Sequence, residues 1–275
     1  MRVPEELKRL RAEILRKGSG LLLELINSVR HYAVAFVAIP NTQTESPWPC
    51  GSATLVTVNG GHYFLTAAHV WTKLQKFKYI GVTLVDNIDQ RFAIETKHLI
   101  ATGPTKPAKK EEGPDIILLR IPDAKLGEIK ARKSFFPLGV KKPKVSVVAI
   151  EIPILLGAPG ELATLPTPTT LDMVIQAIIA NSTPRKFTKR TYDYMDGNEF
   201  FGAYGFPKSY GGFSGGGLWH VYVYLDPKTR ERKERRHLAG MAFYEFKQKR
   251  KYRVIRYHGA KSISLVRKML LKEKD

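Results

Sequence analysis

Gly212-Phe213-Ser214-Gly215-Gly216 places a serine inside a turn with glycine on either side. Glycine carries no Cβ, so such a turn bends tightly and leaves the hydroxyl open to an approaching group. A serine hydroxyl is a poor nucleophile at neutral pH and needs a base within hydrogen-bond reach. Upstream, Leu65-Thr66-Ala67-Ala68-His69-Val70 ends an apolar run on a histidine, a side chain that takes up and returns a proton near neutrality. Between the two lies Gly113-Pro114-Asp115-Ile116-Ile117-Leu118-Leu119-Arg120, an aspartate opening a second apolar run. A carboxylate on the far imidazole nitrogen holds the ring's tautomer and stabilises the imidazolium that forms. The turn itself aims the backbone N–H groups of Gly212 and Ser214 at a developing oxyanion.

Each piece alone is unremarkable: a glycine-rich loop, a half-buried histidine, a turn aspartate. Their order of His69, Asp115 and Ser214, each beside a strand-like run, makes a candidate nucleophilic triad. Asp86 and Asp89 compete with Asp115, but their Asp-Asn-Ile-Asp setting reads as a solvated turn.

Thr66-Ala67-Ala68-His69, Asp115 to Arg120 and Gly212 to Gly216 resemble the three signatures of trypsin-like (chymotrypsin-fold) serine peptidases, and most closely those of stand-alone bacterial-type members. The resemblance spans roughly residues 31 to 270 and is specific in those three places. It implies His69 as base, Asp115 as orienting carboxylate and Ser214 as nucleophile, acting on a protein or peptide substrate with no cofactor and no metal. It further implies a primary pocket floored by Lys208 or Ser209 and walled by Phe243, Tyr244 and Glu245. Lys208 would favour an acidic side chain there, and Glu245 a basic one. Two departures stand out. Phe213 occupies the place where zymogen-activated relatives carry an aspartate, so that activation route is not expected. Gly217 follows the second glycine where proline is usual. Without a zymogen switch, the expected restraint is narrow specificity or regulation by a partner.

With 275 residues, 43% of them hydrophobic, the chain can bury a substantial core in two lobes. One cysteine, Cys50, excludes an intramolecular disulfide and is read as a packed small residue. The apolar run Leu21-Leu22-Leu23 is interrupted by Glu24, which suits neither a signal peptide nor a spanning helix. These features favour a reducing, cytoplasmic compartment. The formal net charge of +20 favours contact with polyanions, nucleic acid included. Basic residues gather at 229–236 and 247–253, at Lys106, Lys109 and Lys110, and at Lys141, Lys142 and Lys144. No nucleic-acid motif accompanies them, so only non-specific contact is expected. Two alternatives to an active peptidase stay open: a binding module for polyanions or proteins, and an acyl hydrolase that does not cleave peptides.

The resemblance implies an all-β architecture of two six-stranded antiparallel barrels, which six strand-like runs per lobe match, with an N-terminal helical extension and a C-terminal helix. Residues 1–30 read as the extension, with Leu7, Leu10, Ile14, Leu21, Leu25 and Val29 at helical intervals and a break at Gly18-Ser19-Gly20. Packing of these helices on their own chain is the expected role. Residues 31–140 form the lobe of His69 and Asp115, with a hairpin at Asn59-Gly60-Gly61. Its strands are expected at 32–39, 53–58, 62–66, 79–85, 91–95 and 116–121. Residues 141–275 form the lobe of Ser214, with strands at 145–152, 173–179, 200–204, 217–225, 238–246 and 252–257 and a closing helix at 263–271. Residues 155–170 and 184–198 read as long loops.

Overall fold

The computed structural model describes residues 4–16, 18–42, 45–84, 92–104, 111–139, 149–167, 170–180, 185–198, 200–202, 209–246 and 254–272. Asp86, Asp89, Lys208, the basic run 247–253 and the lysine clusters at 106–110 and 141–144 lie outside them.

Two helices come first, α1 (Glu5–Leu15) and α2 (Gly20–Arg30). Ser19 caps α2, its hydroxyl accepting from the Leu22 N–H at 3.4 Å. Leu7 and Ile14 of α1, with Leu22, Leu25, Ile26 and Val29 of α2, enter the main core. Glu6 pairs with Arg230, Glu24 with Arg232 at 2.5 Å, and Arg236 donates to the Ser28 carbonyl. The two exposed ion pairs add little, and the buried apolar stripe holds the helices down. The extension packs on its own chain, as its periodicity suggested.

The first barrel contains β1 (Ala33–Ile39), β2 (Trp48–Val58), β3 (Gly61–Thr66), β4 (Tyr79–Val82), β5 (Ala93–Glu95), β6 (Ile100–Thr102), β7 (Ile117–Arg120) and β8 (Phe136–Pro137). The ladder runs β5-β4-β1-β2-β3-β7-β6, with β8 added in parallel beside β2. A 3-10 turn, Thr96–His98, and Leu99 separate β5 from β6. β5 and β6, at the two ends of this ladder, are thus near neighbours in the chain, and the sheet curls. Its interior is apolar because β1 is buried along nearly its whole length, and Leu55, Phe64, Leu65, Leu118 and Leu119 are fully enclosed. Asn59 and Gly60 take positive φ values of 47° and 79°, the hairpin geometry expected of Asn-Gly. Two helices interrupt this half, α3 (Ala68–Leu74) and α4 (Asp123–Lys130).

The second half contains β9 (Ile150–Gly157), β10 (Thr164–Thr167), β11 (Thr170–Asp172), β12 (Gln176–Ala180), β13 (Arg185–Thr188), β14 (Asp193–Asn198), β15 (Phe200–Gly202), β16 (Gly217–Leu225), β17 (Arg232–Phe246) and β18 (Val254–His258). Eight of them form one antiparallel sheet, β13-β14-β18-β17-β16-β9-β12-β15, while β10 and β11 make a separate hairpin. The chain ends in α5 (Ala260–Lys272), whose Val266 and Leu270 are buried. The architecture is mostly β, in two curled halves with the expected N-terminal and C-terminal helices, consistent with the two-barrel fold that the resemblance implied. The count of six strands is corrected for the second half. Residues 184–198, read as a loop, contain β13 and β14, and residues 155–170 contribute β10 and part of β9.

The halves meet over aromatic rings. Tyr32 stacks on Trp219 at 5.0 Å, and Phe136 meets Trp219 edge-on at the same distance. Hydrogen bonds between β2 and the turn of Ser214 complete the seam.

Candidate active site

Thr66 ends β3, and the chain turns at once into α3, so His69 sits in the first turn of a helix. The N–H groups of a first turn have no partner within the helix. That of His69 donates to Asp115 Oδ1 at 2.9 Å, while the ring Nδ1 lies 2.5 Å from Oδ2. The carboxylate therefore grips backbone and ring together and fixes the imidazole in one orientation. Asp115 is 2% exposed at its side chain and His69 31%. The acid is shielded from water, and the far edge of the ring is left for a substrate.

Ser214 comes from the opposite half, in the turn before β16. Gly212 and Gly215 there have φ values of 101° and 93°, which glycine alone adopts without strain. A Cβ on Gly212 would fall 2.2 Å from the Ala158 carbonyl oxygen, and one on Gly215 1.8 Å from that of Ser52. Both glycines are thus required by shape as well as by backbone angle.

Three contacts orient the turn. The Ser52 N–H donates to the Ser214 carbonyl at 2.8 Å, and the Ser52 hydroxyl donates to that of Gly212 at 2.7 Å. The Gly160 N–H donates to the Gly211 carbonyl at 2.7 Å. In a trans peptide the carbonyl and the following N–H point opposite ways. The Gly212 N–H is therefore turned away from Gly160. Among the described residues, neither the Gly212 nor the Ser214 N–H has an acceptor. Two unpaired donors two residues apart in one turn are what an oxyanion needs.

His69, Asp115 and Ser214 line one cleft of about 280 Å³, with Lys73, Tyr210, Phe213, Phe243, Tyr244 and Glu245 among its other walls. The Ser214 hydroxyl is turned to the Phe243 carbonyl at 3.5 Å and makes no hydrogen bond to His69.

The expected pocket residues also come together. Phe243, Tyr244 and Glu245 form one wall of the cleft. Glu245 Oε2 accepts from the Ser209 hydroxyl at 3.2 Å and the Tyr210 N–H at 3.1 Å, tying β17 to the segment before the nucleophile turn. Lys208 lies outside the described residues. Cys50 is buried, and burial raises its thiol pKa, so it is packed and not a thiolate.

Several contributors carried no local signal in the sequence. Ser52 grips the turn, and Thr66 donates to the Ser52 carbonyl at 2.7 Å. His258, at the end of β18, accepts the Asp115 N–H on Nε2 at 2.9 Å. Burial lowers the pKa of His258 from 6.5 to about 4, against smaller opposing effects of the Asp193 carbonyl, Asp115 and Asp193. The ring is therefore neutral near pH 7.

No family model matches the chain, and no curated protein matches it. Among solved structures it is similar to the scabies mite inactivated protease paralogue S-I1. That protein is 13% identical, the match covers 89% of this chain and 96% of the other, and the TM-score is 0.47. A structure from a study of coupled folding and binding of the Sesbania mosaic virus VPg protein is 15% identical, with 82% and 85% covered and a TM-score of 0.38. Among the described residues no helix is long and apolar enough to cross a membrane.

Proposed function

We propose that this chain is a serine endopeptidase that hydrolyses peptide bonds through an acyl-serine intermediate. One observation carries the reading. A serine and a histidine bound twice by a buried carboxylate line a single cleft, and the serine sits in a turn with two unpaired backbone donors. In the proposed cycle the Ser214 hydroxyl turns to His69, which takes its proton as oxygen attacks the substrate carbonyl. The oxyanion rests on the N–H groups of Gly212 and Ser214. His69 then gives the proton to the leaving amine, and a water activated the same way releases the acid and frees Ser214. Asp115 holds the other ring nitrogen and stabilises the imidazolium that forms.

The wall of Phe243, Tyr244 and Glu245, with Ser209 beside it, is the proposed primary pocket. A reducing, cytoplasmic setting is also proposed, supported by the single buried cysteine. The competing polyanion-binding reading draws on the charge of +20. It is weakened at the 229–236 run, where Arg230, Arg232 and Arg236 are engaged by the N-terminal helices.

The test is a complex peptide mixture incubated with wild type and Ser214→Ala, with new termini read by mass spectrometry. Cleavages made by wild type and absent from the variant support the reading. Strong nucleic-acid binding, unchanged in Ser214→Ala and without any cleavage, would favour the alternative.

A further inference from the structure

Asp115 is held from both halves of the molecule. His69 engages its carboxylate from the first barrel, and His258 accepts its backbone N–H from the second sheet. His258 is completely buried. Because Nε2 is the acceptor, the ring proton resides on Nδ1, which lies 3.2 Å from the Asp193 carbonyl and 3.1 Å from the Ser262 hydroxyl. That hydroxyl itself donates to the Asp193 carbonyl at 2.6 Å, and the Ser262 N–H donates to Asp193 Oδ1 at 2.9 Å. The surroundings thus define a single tautomer.

The same ring reaches the serine side. It lies flat on Phe243, centroids 4.0 Å apart and planes 13° from parallel, and the Phe243 carbonyl is the acceptor of the Ser214 hydroxyl. Gly113, at φ 78°, is pressed against the imidazole edge, where a Cβ would come within 2.6 Å of Cε1. Two residues back along β18, Arg256 donates to the Glu111 carbonyl at 2.6 Å, and Lys189 pairs with Glu112 at 3.3 Å. The segment from Glu111 to Asp115 is thereby laid along the second sheet.

We infer that His258 is a positioning residue, which sets the aspartate and serine ends of the candidate triad relative to each other across the seam between the halves. The inference rests on the peptidase reading for its consequences in rate, though not for its geometry. It also gives the site a dependence on acid. A protonated His258 has no lone pair for the Asp115 N–H, so the link breaks when the ring charges. The charged and titratable groups around it are Asp115 from the first barrel, Asp193 and Tyr192 at β14, Lys186 of β13 through its 3.7 Å contact with Asp193, and Arg256 on its own strand.

The experiment compares wild type, His258→Ala and His258→Gln, since glutamine can present an acceptor to the Asp115 N–H. Two readouts are taken: the rate of labelling by a fluorophosphonate, and the NMR resonance of the proton between His69 and Asp115. His258→Ala, verified as folded by near-ultraviolet circular dichroism, is expected to label about 10²-fold more slowly at an unchanged half-saturating probe concentration. Its His69 resonance is expected to shift or vanish, and His258→Gln to recover most of both. Below pH about 4, labelling of wild type is expected to fall with one more proton than that of His258→Gln. A folded His258→Ala with wild-type rate and an unmoved resonance would overturn the inference. If the alanine variant does not fold, equal proton dependence of wild type and His258→Gln overturns it instead. If wild type does not label at all, the peptidase reading is what has failed. The His69 resonance in wild type and variants then decides the positioning role by itself.

Discussion

Replacing Ser52 by alanine removes one oxygen and tests whether the nucleophile turn is built from the first barrel. That oxygen accepts the Ala158 N–H at 2.9 Å and donates to the Gly212 carbonyl at 2.7 Å. Ala158 is fully buried, so its N–H would be left without water or protein partner. Gly212 is partly exposed, and water can replace the hydroxyl there. A buried donor left unpaired costs about 1–3 kcal/mol and a lost hydrogen bond about 1 kcal/mol, so the fold should lose about 2–4 kcal/mol. The larger effect belongs to the site. Once its carbonyl is released, the Gly212–Phe213 peptide, which lies between the two oxyanion donors, can turn and carry one of them out of line, and losing one such donor costs about 10²–10³ in kcat. Urea unfolding gives the first quantity and turnover of a cleaved peptide the second. Stability within about 0.5 kcal/mol of wild type, together with undiminished kcat, would refute the reasoning, since that is the range of an inert surface change.

Asp115→Asn should lower kcat about 10⁴-fold with little change in KM, because an amide can hold His69 in the wrong tautomer. Steady-state kinetics on any substrate found by profiling will check it. Gly215→Ala sets a Cβ 1.8 Å from the Ser52 carbonyl oxygen at a φ of 93°. A loss above about 4 kcal/mol is expected, and a wild-type melting temperature would contradict it. Stability should also fall on acidification. With the His258 pKa lowered from 6.5 to about 4, the unfolded chain binds a proton that the folded chain refuses between those values. The sign therefore favours the folded state at higher pH, and about 3 kcal/mol is lost as pH drops through that window. Urea titrations at pH 7 and pH 4.5 should show that loss in wild type, beyond whatever His258→Gln shows.

The parts legible in the sequence were those written locally. Asn59-Gly60 specifies a hairpin by its own backbone preferences, and the leucines of α2 recur at the helical period whatever they pack on. His69, Asp115 and Ser214 each stand in a short motif that can be read without knowing the fold. Elements held by distant partners were not legible. Asp193-Tyr-Met-Asp-Gly-Asn has no alternation of apolar and polar residues, yet it is a strand because it pairs with β13 on one side and β18 on the other. Helix α4 buries only Ile129, too little to leave a periodic trace. Ile100–Thr102 is three residues long and gains strand form only by closing the barrel against β7. His258 is 143 residues from Asp115, and nothing near it in sequence announces the contact.

The account turns on whether Ser214 is an activated nucleophile. Labelling by a fluorophosphonate probe tests this without knowledge of the substrate, with wild type set beside Ser214→Ala and His69→Ala. The account predicts a single covalent adduct on wild type, mapped to Ser214, and none on either variant. A folded wild-type protein that takes no label, or a His69→Ala variant that labels as fast as wild type, would contradict it.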